Sequence, residues 1–391
     1  MEINYDFLSP VDEELLQLAV ALPASCIGQK VEVHSLFNRP KLPRGQKFIA
    51  LLGVQEMRAS SIPSEKSPDF TDLRKKLYAL HSGDWHYALL DLGDLPSGEQ
   101  LKDTYLAFQE IVKAILSNDG IPLIIGGGQD LVYHLYRAYD DGEEMVNFVN
   151  IDAKFNLGDF EAALSAESFV GKMVVDKPYN LLNYTNLAYQ TYYNSQEEIR
   201  LMESLYFDFY RLGELHTDIK IAEPALRDAD IVSLDVEAIK DEGFHPVFNE
   251  LPRPNGIDGL QLCKLMHYTG ISDRVSSLCI SHLNTGSAYF NMLMAQGLWY
   301  FIEGVNNRYD ESPDINHKDY IKYIVPLDEE VIIFVKSLLS GRWWIKIPFL
   351  KNYNNINKID TLLACTEQDY LEACAQKIPA RWLNIKRKAS T

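Results

Sequence analysis

The sequence predicts an α/β fold built on a mainly parallel sheet, and three observations carry that prediction. First, short apolar runs recur at 48–54, 87–92, 121–125, 146–151, 230–234 and 274–280. Runs of this length, bounded by glycine or polar residues, read as buried parallel strands. Second, stretches of helical length and period lie between them, at 72–79, 100–116, 131–139 and 257–268, with a strongly apolar one at 288–303. Strand and helix in alternation build βαβ units. Third, three of the runs lead into polar clusters: Gly126-Gly127-Gly128-Gln129-Asp130, Asn150-Ile151-Asp152-Ala153-Lys154-Phe155-Asn156 and Ser233-Leu234-Asp235-Val236-Glu237. Ligands of open α/β sheets bind beyond the carboxyl ends of the strands. The three clusters are therefore expected to converge on one crevice. Asp152, Lys154 and Asn156 alternate, as do Asp235 and Glu237, and side chains two apart on extended backbone share a face.

The remaining elements follow in order. Residues 1–45 carry one expected helix, 12–22, with Leu15, Leu16, Ala19 and Val20 as its apolar stripe. The helix at 100–116 is ended by Asn118-Asp119-Gly120. Gly126-Gly127-Gly128 is a turn that needs permissive backbone; it lacks the GxGxxG and Walker patterns of phosphate loops. Between 155 and 212 the periodicity loosens, and the Tyr- and Asn-dense stretch 179–194 reads as loops and short helices over the crevice. A short helix at 224–228 has Pro224 near its start, and 246–256 is a Pro-containing loop.

Residues 309–391 change character. Strands are expected at 320–326 and 331–347, with Ser340-Gly341 as a hairpin turn. Arg342, Trp344 and Lys346 alternate with Trp343, Ile345 and Ile347, which predicts a hairpin with one covered face. Thr366-Glu367-Gln368-Asp369 resembles a capping box opening a helix to 376, and Lys386-Arg387-Lys388 reads as a solvated basic end. The expected organisation is an N-terminal segment (1–45) packed on the core, an α/β domain (46–308) and a C-terminal extension of hairpin plus helix (309–391).

Composition narrows the function classes. With 47% hydrophobic and 24% charged residues, the chain is an ordinary soluble globular protein. Its net charge of −18 argues against a general nucleic-acid or anionic-membrane binder, which needs a basic face. Five scattered cysteines without a Cys-x-x-Cys pair fit a reduced, cytoplasmic setting better than a disulfide framework. The first residues lack the basic and apolar regions of a signal peptide, and no apolar run approaches membrane-spanning length.

In order and spacing, the three clusters resemble the ureohydrolase superfamily of arginase, agmatinase and formimidoylglutamase. The resemblance covers roughly residues 47–305. It implies a three-layer α/β/α sandwich and hydrolysis of guanidino or formimino C–N bonds at a two-manganese centre. Gly126-Gly127-Gly128-Gln129-Asp130 is similar to the family's Gly-Gly-Gly/Asp-His-Glu/Ser motif, and its triple glycine tilts towards the formimidoylglutamase branch. The stretch from Asp152 to Asn156 is similar to Asp-Ala-His-x-Asp, and Ser233 to Lys240 to Ser-x-Asp-x-Asp-x-x-Asp-Pro. Asp91-Leu92-Gly93-Asp94, Pro254-Asn255-Gly256 and Ser277 to Asn284 also fit the family pattern.

The departures carry as much as the match. Of the six metal ligands the resemblance implies, only Asp152 and Asp235 are unchanged. Gln129 and Lys154 stand at the two histidine positions, Asn156 at the second aspartate of its motif, and Glu237 at the second aspartate of the third motif. His282 stands where the family has a downstream glutamate, and Lys240-Asp241 replaces the closing Asp-Pro. Divalent sites need anionic or neutral imidazole ligands, and a protonated lysine offers no lone pair. Carboxylates crowded together without a cation raise one another's pKa. Lys154 is therefore expected to supply the missing positive charge. A pair at ~4 Å and an effective dielectric of about 20 gains roughly 4 kcal/mol before desolvation, which opposes it. Between carboxylates the pKa of an ammonium rises, so Lys154 reads as an ion-pair lysine rather than a base or Schiff-base lysine. His282 reads as a satisfied strand-end histidine.

The expected vestigial site is thus Gln129, Asp152, Lys154, Asn156, Asp235, Glu237 and His282. Loss of the family's manganese is expected, and any residual metal would fall to Asp152, Asp235 and Glu237. No confident catalytic residue emerges. The leading expectation is a catalytically degenerate, arginase- and formimidoylglutamase-like pseudoenzyme that binds a small molecule or a protein partner. The alternative is an active C–N hydrolase with a remodelled metal site. Family habit implies a homo-oligomer.

Overall fold

The computed structural model describes residues 1–391 except 61–66, 143, 242–252, 284–285, 312, 314, 316, 328–329, 348–361 and 391. Most of the 246–256 loop, together with His245 and Asn284, lies outside the described residues.

Nine strands form the central sheet: β1 (Glu32–Val33), β2 (Phe48–Val54), β3 (Ala88–Leu95), β4 (Gly120–Ile125), β5 (Val146–Ile151), β6 (Leu181–Tyr189), β7 (Asp208–Arg211), β8 (Ile231–Asp235) and β9 (Ser277–Ser281). Their order is β1-β3-β2-β4-β9-β8-β5-β6-β7, and every neighbouring pair is parallel. The N-terminal segment thus contributes an edge strand as well as packing on the core. Strands β2, β4, β8 and β9 are buried along their whole length, as parallel strands covered on both faces must be.

The helices of the core are α1 (Glu13–Ala21), α2 (Thr71–Ala79), α3 (Leu101–Leu116), α4 (Leu131–Arg137), α5 (Phe169–Val175), α6 (Gln196–Ser204), α7 (Leu212–Thr217), α8 (Ala222–Asp228), α9 (Gly259–Gly270) and α10 (Ala288–Asn306). One face of the sheet packs against α1, α2 and α7 to α10 through Leu15, Leu73, Leu215, Leu226, Met266 and Leu298. The other packs against α3 to α6 through Phe108, Leu135, Phe169 and Met202. The result is an arginase-like α/β/α sandwich. Two glycines let α9 and α10 touch backbone to backbone: a Cβ on Gly270 would lie 2.2 Å from Phe301 O, and one on Gly304 2.8 Å from His267 O.

This layering fixes where a ligand can sit. After β4 and β5 the chain turns to the α4/α5 face; after β8 and β9, which lie between them, it turns to the α9/α10 face. Both the β4/β9 and the β8/β5 boundaries are therefore switch points, where crevices open beyond the carboxyl ends. Gln129 and His282 follow the first pair of strands, Asp152 and Asp235 the second.

Three expectations are corrected. The 179–194 stretch is mostly strand: it contains β6, nine residues long, and only its end carries the expected short helix, Thr191–Tyr193. Its polar side chains hide the strand pattern because each has a partner. Asn183 Nδ2 donates to Asp208 Oδ2 at 3.1 Å, and Asn186 Nδ2 to Lys154 O at 2.8 Å. The extension is more than a hairpin and one helix. Strands β10 (Tyr320–Pro326), β11 (Val331–Ser337), β12 (Trp343–Lys346) and β13 (Leu362–Cys365) form an antiparallel sheet, followed by α11 (Glu367–Cys374) and α12 (Ala380–Ser390). Both faces of β12 are covered, so both tryptophans are buried, whereas β10 leaves Ile321 and Ile324 exposed. The Trp343 ring stacks on Tyr370 at 4.9 Å, while the Arg227 guanidinium of α8 lies 4.5 Å over Trp344 and donates to Cys365 O at 2.9 Å.

Nor is the basic tail a solvated end. It lies in α12, alongside the outer edge strand β7. Arg381 and Asn384 reach Asp208 at 3.7 and 3.2 Å, and Lys388 bonds Asn183 and lies 4.8 Å over Phe207. Covering an edge in this way blocks stray strand pairing. Packed on two sides, β11 and β12 are expected to exchange amide protons slowly; rapid exchange throughout the described residues of 320–378 would show the extension to be undocked.

Candidate functional site

The site begins with two local constructions of the same kind. Asp152 follows β5 directly, and its Oδ1 accepts the backbone N–H of Lys154 at 2.9 Å. Asp235 ends β8, and its Oδ1 accepts the backbone N–H of Glu237 at 2.8 Å. An aspartate bonding the backbone two residues on makes a tight turn. Residues 152–154 and 236–238 are therefore turns and not extended strand, so convergence comes from these caps and not from the two-residue alternation expected of the sequence.

Each aspartate keeps its Oδ2 for the crevice. Asp152 Oδ2 accepts from Gln129 Nε2 and Asn156 Nδ2, both at 2.7 Å, and from Asn150 Nδ2 at 3.2 Å. Asn156 Nδ2 also meets Gln129 Oε1 at 2.7 Å, closing a ring of amides around one carboxylate. Asp235 Oδ2 is held by His282 Nδ1 at 2.9 Å, with the two side chains 3% and 1% exposed. Asn156 and His282 take left-handed backbone, at φ 55° and 58°, a conformation in which asparagine and histidine are over-represented. The turn that carries Gln129 is pinned to the end of β9 by Gly126 N to Ile280 O and His282 N to Gly127 O, both 2.9 Å. Gly126 and Gly127 have φ of 89° and 74°, and a Cβ on either would clash, with Phe70 at 2.0 Å or Leu131 at 2.2 Å.

Glu237 completes the site. Its Oε2 lies 3.4 Å from Lys154 Nζ and its Oε1 3.4 Å from Arg253 Nη1. The seven sequence-predicted residues thus form two hydrogen-bonded groups and an ion pair at neighbouring strand ends. Lys154 serves Glu237 directly, while Asp152 is compensated by amide N–H groups rather than by an ammonium. Arg253 is the residue that sequence reasoning missed. Nothing local marks it, because its meaning comes only from meeting Glu237 across the fold. The brackets of the 152–156 stretch were missed too. Asn194 accepts from Phe155 N at 2.8 Å and donates to Ala153 O at 2.9 Å, and Gln190 N donates to the same carbonyl at 3.0 Å. The asparagine density of 179–194 was the available signal.

The charges follow from these contacts. Burial, and then the nearby Asp235 carboxylate, push Asp152 up to about 7. Burial would raise Asp235 as well, but the His282 charge and hydrogen bond outweigh it and hold Asp235 below the usual carboxylate range. Burial lowers the His282 imidazole, and Asp235 more than reverses this, leaving it raised. Burial lowers Lys154 too, but the Glu237, Asp152 and Asp235 carboxylates together outweigh it and leave it raised. The donor set does not fit a pair of divalent ions. Amide N–H groups face the Asp152 oxygen that a metal would need, and an ammonium without lone pairs stands beside Glu237. Among the described residues, no group of three or more His, Cys, Asp or Glu is arranged to hold a metal ion.

Known proteins match in fold. Trypanosoma cruzi formiminoglutamase with Mn2+ superposes with a TM-score of 0.59 at 17% identity, covering 66% of this chain and 94% of that one. Formimidoylglutamase from Bacillus subtilis gives 0.59 at 17%, covering 68% and 89%. Arginase from Bacillus subtilis gives 0.53 at 14%, covering 66% and 98%. No curated protein matches the sequence. The Arginase family profile matches residues 52–275, more than half of the chain and all the strands from β3 to β8, so this protein belongs to the Arginase family.

Proposed function

We propose that this Arginase-family chain is not a hydrolase and that its remodelled crevice is a binding site for a small molecule or a protein partner. The observation that carries the reading is the polarity of the site: Gln129 and Asn156 turn N–H donors towards Asp152 at 2.7 Å, and Lys154 sets an ammonium 3.4 Å from Glu237. A metal-generated hydroxide needs the opposite polarity, with lone pairs pointing inward. Among the described residues of the site none stands in for such a nucleophile: Lys154 is held charged by the carboxylates around it, and His282 is buried behind Asp235. Among the described residues no helix is long and apolar enough to cross a membrane. Five unpaired cysteines fit a reducing, cytoplasmic setting.

A second reading, an active guanidino or formimino hydrolase with an altered metal site, draws on the fold shared with a formiminoglutamase solved with Mn2+ and on the convergence of Asp152, Asp235 and Glu237. Elemental analysis and manganese titration separate the two. The protein is expected to purify without stoichiometric manganese and to leave arginine, agmatine and formimidoylglutamate unhydrolysed. Two manganese ions per chain, or saturable turnover of any of the three, would establish the second reading.

A further inference from the structure

Among the described residues, two cations meet at Glu237, and one of them keeps a buried donor without a hydrogen bond. Arg253 is 17% exposed and lies within ion-pair distance of Glu237, yet its Nε and Nη1 are buried and make no hydrogen bond. Buried guanidinium donors without an acceptor are costly. Lys154 is 37% exposed, and its ammonium, with three donors, meets Glu237 at 3.4 Å. The two cations come from different segments and flank opposite oxygens of one carboxylate. Arg253 is carried on firm backbone: Arg253 O accepts from Asp241 N at 2.8 Å, and Lys240 N donates to Ile257 O at 3.0 Å.

Resting on the binding-site reading above, we propose that Lys154 and Arg253 form a cradle for the carboxylate of a small molecule, with Glu237 as the internal carboxylate that holds them apart and competes with the ligand. The guanidinium offers a buried Nε–H that no protein group accepts, a donor that suits a carboxylate oxygen, and the lysine adds a point charge on the other side of Glu237. Charge selects among oxyanions. Asp152, Asp235 and Glu237 crowd this end of the sheet, and the chain as a whole carries −18. A phosphate dianion meets that field with twice the repulsion of a monocarboxylate, and a zwitterion meets it with less still.

Calorimetric titration of the full chain at constant ionic strength tests this, with acetate, L-alanine and inorganic phosphate as probes against chloride. Saturable binding of acetate or alanine is expected, at least tenfold tighter than phosphate. Arg253→Gln and Lys154→Gln are each expected to weaken it at least tenfold, and Arg253→Lys, which keeps the charge but loses the Nε–H donor, by less. Glu237→Gln is expected to tighten binding about threefold or more, a direction that mere loss of structure does not produce. The cradle is overturned if no carboxylate binds, if Arg253→Gln binds as the parent does, if Glu237→Gln weakens binding, or if phosphate matches acetate. Manganese content and hydrolysis are measured on the same preparations. A manganese-free, inactive protein that ignores carboxylates overturns the cradle alone, whereas turnover overturns the binding-site reading whatever the carboxylates do.

Discussion

Replacing His282 with alanine is expected to lower the unfolding free energy by about 3–5 kcal/mol near pH 6, the usual loss when one partner of a buried ion pair is removed. The pair qualifies: Asp235 and His282 are almost fully buried, and Nδ1 lies 2.9 Å from Oδ2. Alanine leaves Asp235 with the Glu237 backbone N–H as its remaining close donor, on the other oxygen.

The pH dependence follows from the two shifts. His282 is raised in the folded protein, so its contribution is complete below the ordinary imidazole value and fades as pH rises through the raised one. Asp235 is depressed, so its contribution is complete above the ordinary carboxylate value and fades as pH falls through the depressed one. Both are fully present between roughly pH 4 and pH 6.5. Once pH passes the raised imidazole value, the neutral ring still donates its Nδ1 proton, and the gap should narrow to the worth of a hydrogen bond to a charged group, about 1.5–3 kcal/mol. Urea unfolding of parent and variant at pH 6 and pH 9 reads this directly. An equal gap at both values would mean that the imidazole does not change charge between them, and the account of a pair that titrates in this range would be wrong.

What could be read from the sequence follows from where polar groups find partners. Strands β2 to β5, β8 and β9 were legible because helices cover them on both faces, which leaves short runs that are mainly apolar. Strand β6 was illegible for the converse reason. Asn183 and Asn186 bond Asp208 and the Lys154 carbonyl, so the strand spends its polar residues on partners far away in sequence. The extension misled in the same way: an alternating strand predicts one wet face, but Arg227 of α8 lies over Trp344 and covers the second. Within the site, Asp152 and Asp235 were legible because a strand-end aspartate that caps its own turn is a local event. Arg253 was not, since an arginine beyond a proline-containing loop gains its role only when the fold brings Glu237 to it. That missing cation also changes the electrostatics. The sequence suggested a single ammonium serving three carboxylates, whereas Lys154 and Arg253 share Glu237, His282 serves Asp235, and amides serve Asp152.

The double change Lys154→His with Asn156→Asp should confer measurable manganese affinity beyond that of the parent. Each substitution reverses one polarity. Histidine at 154 removes the ammonium beside Glu237 and supplies an imidazole lone pair. Aspartate at 156 removes the amide donor that occupies Asp152 Oδ2 at 2.7 Å and adds a second carboxylate there. Without metal, the paired carboxylates at 152 and 156 raise each other's pKa, and the variant should be less stable than the parent above neutral pH. Manganese should then restore stability by mass action, by about 2.7 kcal/mol when free ion reaches about a hundredfold over Kd. Gln129 still points Nε2 at Asp152, so affinity should stay below that of a complete ligand set, and Gln129→His added to the pair should raise it further. Thermal melts with manganese, and with magnesium as control, report the effect without any need for turnover. If neither the double nor the triple variant gains a manganese-dependent shift, then the identity of these side chains is not what excludes the ion. The cause would lie instead with the cations that remain, Arg253 at Glu237 and His282 at Asp235.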